Sequence, residues 1–424
     1  MIILRWFISK TVREACAVAK HYRRLLKAQR DVLAPEAIAA VQLKLEELST
    51  AIAEGHKGKI RIKAEELQFA AEKNIKPYPQ AAWRENVEVL LVALAVAMAI
   101  RTFVLQPFKI PTGSMQPTLF GVTSVPDFTK INGWSGDRAK INAEIQEQIK
   151  LRDTLPIPSG WERVKAWLHG DSYVHIVAQA DGVIDSVGAP VKFLIFNIKQ
   201  SLTIGGVEHT MWFPPDFGEQ SWLRRSGLEP GHFYKKGDDV LKMKVSAGDH
   251  LFVDRVSFNF CKPQRGEIVV FETRGINNPD ATGVNQMPQD QFYIKRLVVL
   301  PGEKVQIGDD RHLRINGQRL DASTPHFENV YGYNPNLKPK ESRFSGHVNG
   351  TVATRYGLYP NLAPNFPDAE TVYDNAGNTY MVMGDNTCNS FDSRAWGGFP
   401  AENVIGKNFF VYWPLTDRFG WGNR

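Results

Sequence analysis

The chain is poor in cysteine: only Cys16, Cys261 and Cys388 occur in 424 residues. An odd number at such wide spacing excludes a disulfide-stapled scaffold and a cysteine-rich zinc module. The 10 histidines are scattered, and no H-x-x-x-H pair occurs, so a metalloprotease has no support. The sequence also has no G-x-x-x-x-G-K-[ST] motif and no strand-borne G-x-G-x-x-G motif. We therefore expect no metal, no nucleotide and no other cofactor.

Charge is distributed unevenly along the chain. Residues 1–84 contain 16 Lys or Arg and 9 Asp or Glu, a net of +7, whereas the remaining residues carry a net of −1. A basic segment of this kind indicates either a nucleic-acid-binding tail or the cytoplasmic flank of a membrane span. Glutamates interspersed with the basic residues argue against nucleic acid as a partner. The composition, 43% hydrophobic and 23% charged, excludes wholesale disorder, and the length suggests two to three domains.

One long apolar stretch follows the basic segment. Residues 87–105 read VEVLLVALAVAMAIRTFVL. As a helix they would rise roughly 28 Å, enough to cross a hydrocarbon core of about 30 Å. A buried core helix would have a similar composition, but the one-sided charge favours a single transmembrane helix over 85–105. The same charge rule predicts that the N-terminus is cytoplasmic and that residues 106–424 lie on the outer side of the membrane.

Helical and β patterns separate on the two sides of that stretch. Residues 10–31 and 35–54 have helical spacing with a break near Pro35, which predicts a helical hairpin in a cytoplasmic segment, either solvated or docking a partner. Beyond it, β-branched and aromatic runs alternate with turn residues, which predicts a mostly β domain. The predicted strands lie in 251–258, 267–272, 293–300 and 408–413, with a strand pair or another buried element at 191–204, a helix at 137–152, and a loop-rich β segment at 323–379.

Three polar segments contain groups that can support nucleophilic catalysis. Ser114 lies in KIPTGSMQPTL, Lys295 in the apolar pattern FYIKRLVVLPGEK, and Ser390 in the polar segment GDNTCNSFDSRAWG. A fourth segment, GDHLFVDRVSF, predicts a turn entering a strand and contains no obvious catalytic group. Nucleophilic catalysis by a serine, with a lysine as the base, is the reaction for which the required residues are present. By sequence alone, however, a serine beside glycine in a turn is usually structural.

Lys295 must meet a physical condition before it can act as a base. The pKa of lysine in water is about 10.4, so only about one molecule in 2,500 is neutral at pH 7. Burial disfavours the ammonium form, and lowering the pKa by ~2 units costs roughly 2.7 kcal/mol, which a fold can carry. A strand as apolar as this one can supply that burial. The residues alone nevertheless favour an edge-strand lysine whose amine lies in water.

The motifs, taken in this order and context, resemble those of the type I signal peptidases, membrane-anchored Ser/Lys peptidases that release exported preproteins. A membrane stretch ending RTFVLQPFKIP runs into TGSMQPTL, and GDHLFVDRVSF, RGEIVVFE, YIKRLVVLPGEKV and GDNTCNSFDSRAWGGFP follow. The resemblance implies a signal-peptidase-like β catalytic domain on a single N-terminal transmembrane helix, with a helical cytoplasmic extension and β-rich insertions. It also implies the bacterial inner membrane, with the catalytic domain on the periplasmic side.

The resemblance assigns roles by position. It implies that Ser114 is the nucleophile, that Lys295 is the general base, and that Ser390 orients the lysine amine. Thr112 stands where the family usually has serine, and its hydroxyl with the Ser114 N–H would form the oxyanion hole. The positions implied to line the substrate pocket are Phe108, Ile110, Pro111, Met115, Tyr293 and Ile294, and the implied structural ion-pair residues are Asp385, Arg296, Asp392 and Arg394.

The implied function is removal of signal peptides from exported preproteins, after small residues of the Ala-x-Ala type, by Ser/Lys acyl-enzyme catalysis at the lipid bilayer. A peptidase dedicated to one exported substrate and a catalytically silent membrane scaffold remain open. Thr387 and Cys388 depart from the charged or polar residues usual in the last motif. The expected domains are a cytoplasmic segment 1–84, the span 85–105 and an exported domain 106–424, divided into a catalytic core (106–120, 248–307 and 381–414), an insertion (121–247) and a cap-like β subdomain (308–380).

Overall fold

The computed structural model describes residues 9–75, 81–131, 138–193, 196–218, 222–228, 231–276, 287–342, 345–358 and 362–422. The chain divides into two compact units, Met1–Val96 and Ala97–Arg424. The described part of the first unit is helical, and the second unit is mostly β, as the residue patterns predict.

Three helices precede the apolar stretch: α1 (Lys10–Ala28), α2 (Pro35–Glu54) and α3 (Lys57–Asn74). Proline is favoured in the first turn of a helix, where α2 has it, and α2 ends at Gly55 in the left-handed conformation with φ 88°. The predicted hairpin was incomplete, because α3 packs its apolar residues into the same core. Basic residues surround the narrow apolar stripe of α3 and hide its helical period. The buried residues of α3 are Ile60, Leu67 and Ala71.

Charged residues on α2 and α3 form a network on the half-exposed side of that core. Lys44 donates to both Glu47 and Glu66, and Lys63 donates to the same two carboxylates, at distances from 2.9 to 3.2 Å. Hydrogen bonds from Lys63 and Lys44 lower the pKa of Glu66 to about 2. These four charged residues are therefore paired with one another within the unit.

The apolar stretch forms a fourth helix, α4 (Ala81–Phe103). Its segment Trp83–Phe103 has 21 residues, and the most apolar 18-residue window within that segment has a mean hydropathy of 1.8 and no buried residue. Among the described residues this is the one helix that is long and apolar enough to cross a membrane. The chain leaves the helix only two residues before a strand begins at Leu105.

The second unit continues as a series of short elements. The strands are β1 (Leu105–Lys109), β2 (Thr123–Val125), β3 (Asp171–Val177), β4 (Gly182–Val187), β5 (Val191–Phe193), β6 (Phe196–Ile204), β7 (Val207–Trp212), β8 (Phe233–Tyr234), β9 (Asp239–Ser246), β10 (His250–Asp254), β11 (Ile268–Glu272), β12 (Phe292–Val299), β13 (Lys304–Ile307), β14 (Leu313–Ile315), β15 (Gln318–Arg319), β16 (Val372–Asp374), β17 (Thr379–Met383), β18 (Phe399–Pro400), β19 (Val404–Trp413) and β20 (Gly420–Trp421). The helices are α5 (Arg138–Thr154), α6 (Gly160–Leu168), α7 (Trp222–Ser226), α8 (Glu328–Tyr331), α9 (Gly350–Arg355) and α10 (Ser393–Trp396).

An eight-stranded antiparallel sheet forms the centre of this unit. Its strand order is β1, β10, β19, β11, β12, β17 and β18, with β20 paired to β19. Successive side chains of a strand point to opposite faces, and both faces of β11 are covered. Val269 and Phe271 pack into one apolar cluster, whereas Ile268 and Val270 pack into another. All four predicted β runs contain a strand of this sheet, and β11 and β12 lie in its interior.

The insertion has sheets of its own. In one, β9 lies between β2 and β3; in the other, the order is β5, β6, β4 and β8, with β7 paired to β6. The interpretation of 191–204 as a strand pair is confirmed, because β5 and β6 are antiparallel neighbours. The helix predicted at 137–152 is α5.

The segment after β12 forms a small four-stranded sheet in the order β15, β14, β13 and β16. Its apolar residues join the large sheet through a shared cluster that contains Val299 of β12 and Met381 of β17. The described parts of 323–379 are richer in loops and short helices than expected, with α8 and α9 but only β16 and the first residue of β17 as strand.

Candidate active site

Ser114 lies in a compact turn that follows β1. The turn is closed by hydrogen bonds from the Gln116 N–H to the Gly113 carbonyl and from the Leu119 N–H to the Met115 carbonyl. The chain on either side is tied together, because the Val122 N–H donates to the Pro111 carbonyl. The Ser114 side chain is buried, with 6% of the residue exposed.

Lys295 approaches this serine from β12. Its Nζ lies 2.7 Å from Ser114 Oγ, although 181 positions separate the two residues. Lys295 is 5% exposed, and its strand lies between β11 and β17. The prediction from the residues alone, that Lys295 lies on an edge strand with its amine in water, is therefore wrong. A buried amine within hydrogen-bond reach of a buried hydroxyl is the arrangement that a general base and its nucleophile require.

Two more of the expected hydroxyl residues lie close to Ser114. Thr112 Oγ1 is 3.5 Å from Ser114 Oγ. Ser390 Oγ and the Ser114 carbonyl both face Gly384 so closely that a Cβ at that position would collide with them. Ser390 Oγ is buried, and among the described residues it makes no hydrogen bond to the Lys295 amine. Its hydrogen bond to the lysine amine therefore stays a prediction.

The four charged residues form two buried ion pairs. Arg296 donates to both carboxylate oxygens of Asp385, at 2.7 and 2.6 Å, and Arg394 donates to both oxygens of Asp392, at 2.9 Å each. All four side chains are completely buried. Burial alone would raise the pKa of Asp392, but the Arg394 charge and several hydrogen bonds hold that pKa below its usual range. Each pair is thus neutral overall and forms part of the framework.

These pairs hold the segment that follows β17. Asp392 accepts a hydrogen bond from the Gly384 N–H at 3.0 Å, and the next residue, Asp385, is held by Arg296. Thr118, at the end of the turn that contains Ser114, donates to Asp385 as well. The sequence patterns do not indicate Thr118 as a site residue, although it lies within the TGSMQPTL motif. The framework therefore connects the strand that carries Lys295, the turn that contains Ser114 and the last motif.

The expected pocket residues divide into two groups. Ile110 and Met115 are 2% and 0% exposed and belong to an apolar cluster beneath the turn. The Phe108 ring meets the Phe292 ring edge-on, with centroids 5.6 Å apart. Pro111 is exposed, and Phe108, Tyr293 and Ile294 are half-buried beside the turn and β12.

The two departures in the last motif have a local explanation. Thr387 Oγ1 accepts a hydrogen bond from Arg394 at 2.6 Å, so a neutral hydroxyl is a hydrogen-bond partner of this buried cation. Cys388 packs against an apolar cluster that includes Val348 and Leu358. Burial raises the pKa of the Cys388 thiol, which makes it less reactive than an exposed thiol.

Side chains of the insertion contact the end of β1 and the chain that leaves the turn containing Ser114. Asp216 pairs with Lys109 at the end of β1. Arg225, only 5% exposed, donates to the Val122 carbonyl at 3.3 Å and to Asp127 at 2.9 Å. The insertion is therefore anchored beside the turn that contains Ser114.

A family model described as "Signal peptidase, peptidase S26" matches residues 83–126 and 239–413, just over half of the chain. The chain belongs to this family. The matched ranges include every residue placed at the site above, apart from Asp127, Asp216 and Arg225. Residues 127–238, which lie between the two matched ranges, fall within the segment 121–247 that the sequence predicts to be an insertion.

Several relatives in the signal peptidase family are named "Signal peptidase I". One from Leptolyngbya laminosa is 29% identical over 173 residues, which cover 41% of this chain and 64% of the relative. One from Pseudomonas fluorescens is 32% identical over 194 residues, or 42% of this chain and 60% of the relative. One from Rickettsia prowazekii is 34% identical over 180 residues, or 41% and 60%. The chain thus spans about three fifths of the length of these curated relatives.

A crystal structure of a signal peptidase I from Enterococcus faecalis is 27% identical and matches 35% of this chain and 97% of the other, with a TM-score of 0.21. Overlap this low carries no information about the fold. Within the described residues, no group of three or more His, Cys, Asp or Glu side chains can hold a metal ion.

Proposed function

We propose that the chain is a membrane-anchored serine endopeptidase that removes signal peptides from exported preproteins. Membership of the signal peptidase family supports the reaction class. The single observation that carries the proposal is the 2.7 Å separation between Lys295 Nζ and Ser114 Oγ at a buried position. Its substrates are preproteins cut after small residues, with Ala-x-Ala sites as the expected type.

The mechanism is acyl transfer. Neutral Lys295 removes the hydroxyl proton of Ser114, and Ser114 Oγ attacks the scissile carbonyl carbon to form a tetrahedral oxyanion. The lysine ammonium then gives its proton to the leaving amine, which releases the mature protein and leaves an ester on Ser114. Water, activated by the again neutral Lys295, hydrolyses that ester and frees the signal peptide.

Burial supports this role for Lys295, because the low-dielectric surroundings disfavour the ammonium form. The oxyanion would be held by the Thr112 hydroxyl and the Ser114 N–H, and removal of one such donor typically lowers kcat by about 10²–10³-fold. Ser390 would orient the amine from its buried position beside Gly384. Arg296, Asp385, Asp392 and Arg394 would keep the site rigid without taking part in proton transfer.

Topology follows from charge and from the apolar helix. We place α4 across the bilayer, the basic N-terminal unit in the cytoplasm and the β unit on the outer side of a bacterial inner membrane. Ser114 follows the end of α4 at Phe103 by eleven positions, so the site would lie close to the bilayer surface. The apolar part of a preprotein's signal peptide ends at the same depth.

The test is cleavage of a preprotein with an Ala-x-Ala boundary by the full chain purified in detergent. We expect Ser114→Ala and Lys295→Ala each to abolish cleavage and to leave the thermal unfolding transition in place. Thr50→Ala, in the helical unit, is the matched control with an ordinary exposed hydroxyl. Cleavage retained by either active-site variant would refute the Ser/Lys pair, and an inactive wild-type chain would support a silent scaffold.

A further inference from the structure

Asn386 makes two hydrogen bonds to the turn that contains Ser114. Its backbone N–H donates to the Ser114 carbonyl at 3.0 Å, and its side-chain Nδ2 donates to the Gly113 carbonyl at 2.9 Å. These carbonyls belong to the two peptide units that flank the Ser114 α-carbon. One residue, 273 positions away from Gly113, therefore binds the backbone on both sides of the serine.

Asn386 is itself held in place by the buried framework. The preceding residue, Asp385, accepts two hydrogen bonds from Arg296, and Arg296 directly follows Lys295 on β12. The N–H of Gly384, one residue earlier, is bound by Asp392. The contacts run without a gap from the lysine strand to Asn386 and on to the serine turn. The relative position of amine and turn thus depends on this segment.

The side-chain contact has a consequence for the Ser114 N–H. A trans peptide unit is planar, so the Gly113 carbonyl and the Ser114 N–H point in opposite directions. Because the Asn386 amide fixes the carbonyl end, it also fixes the direction of the N–H end. That N–H is the backbone donor expected to bind the oxyanion, and such donors work only when they are aimed before the charge develops.

We propose that Asn386 is a positioning residue that aims the Ser114 N–H at the oxyanion. The proposal rests on the acyl-transfer function proposed above. Asn386 does not touch the reacting atoms and does not contribute a proton. It acts through the Gly113–Ser114 peptide, and its loss therefore weakens binding of the transition state more than binding of the substrate.

The test compares Asn386→Leu and Asn386→Ala with the matched control Asn389→Leu in the full chain in detergent. Leucine keeps the branched shape of asparagine but cannot donate to the Gly113 carbonyl, and Asn389 is an exposed residue of the same segment. We expect kcat for the Ala-x-Ala preprotein to fall about 10–100-fold in both Asn386 variants, since a small misplacement has an effect of this size. KM should stay within about twofold, and the pH of half-maximal rate should not move.

The outcomes separate this inference from the proposed function. If the wild-type chain cleaves, if Ser114→Ala does not, and if both Asn386 variants keep kcat within about twofold, only the role of Asn386 is wrong. A shifted pH midpoint would mean that Asn386 acts through Lys295, and a rise in KM with unchanged kcat would mean that it shapes the substrate cleft; either result overturns the inference. Should Asn386→Ala unfold, Asn386→Leu, with its larger side chain, decides the matter.

Discussion

Lys295 in the large sheet and Lys199 in the insertion sheet both lie on strands with neighbours on two sides, yet their environments are opposite. Lys199 of β6 is paired with Trp212 of β7 on one side and with Val191 of β5 on the other, and it remains exposed. Lys295 of β12 is paired with Val269 and is almost fully buried. The difference lies in the faces: apolar clusters cover both faces of the large sheet at β11, next to β12, whereas Trp212, 64% exposed, marks an uncovered face of the insertion sheet.

The comparison indicates that coverage of the sheet faces, rather than a central position or apolar neighbours along the strand, desolvates a lysine. Strand burial agrees with this interpretation. Residues 295–299 of β12 are all buried, while β7 alternates between buried and exposed positions from Glu208 onwards. A lysine on a strand with one uncovered face can keep its ammonium in water at no cost.

The first prediction concerns the effect on cleavage of replacing each of the two lysines. Lys295→Arg should lower kcat/KM by about 10³-fold, because a guanidinium keeps its proton and cannot act as a base. The matched variant Lys199→Arg should change cleavage less than twofold, since either cation is solvated there. Both are measured with the same preprotein in detergent, together with thermal unfolding. Activity above a tenth of wild type in Lys295→Arg would contradict a lysine base.

A second prediction concerns stability in the covered and uncovered regions. Arg296→Ala leaves the completely buried Asp385 carboxylate without its cation and should lower the free energy of unfolding by about 3–5 kcal/mol. Lys165→Ala removes an exposed partner of Glu162 on α6 and should change it by less than about 1 kcal/mol. Chemical unfolding of the full chain in detergent, followed by tryptophan fluorescence, gives both values. Equal losses would show that the two regions do not differ in this respect.

The smallest expected effect is a pH dependence of stability. Burial, followed by the charge of Arg394, lowers the pKa of His347 to about 3, below its ordinary value near 6.5. The unfolded chain therefore takes up a proton first as the pH falls. The stabilisation is complete above pH 6.5 and is lost towards pH 3, at up to about 1.4 kcal/mol per pH unit.

His347→Gln should flatten the loss of unfolding free energy between pH 7 and pH 5, relative to the wild-type chain. His232→Gln, an exposed histidine of the insertion, is the control. The difference between the curves is decisive, because other groups contribute equally to both. Parallel curves for His347→Gln and wild type would rule out a neutral buried imidazole.

Much of the fold is readable from residue patterns. The period of two in the β runs predicts strands of the large sheet, and the length of the apolar run predicts α4. The helices that the patterns miss depend on contacts between distant segments. α3 was overlooked because its three buried residues are surrounded by lysine and glutamate, and the short helices of 323–379 were overlooked because asparagine and proline indicate loops.

The candidate site was predictable only through the resemblance to a family. Residue patterns alone favoured a solvated Lys295, because a strand's own sequence does not reveal whether other strands and loops will cover both of its faces. Asn386 lies in the motif GDNTCNSFDSRAWG, but its partner Gly113 is 273 positions away, and no local rule connects them. The same holds for Thr118 and Asp385.

In the proposed mechanism, consecutive positions on β12 carry an amine that has to give up its proton and a guanidinium that never does. The pleat sends them to opposite sides, one toward the serine and the other toward Asp385. A slip of this strand by a single residue would exchange the two and place a permanent cation against the hydroxyl. Hydrogen-bond register along eight residues of backbone is therefore as much a condition for chemistry here as the identity of either side chain.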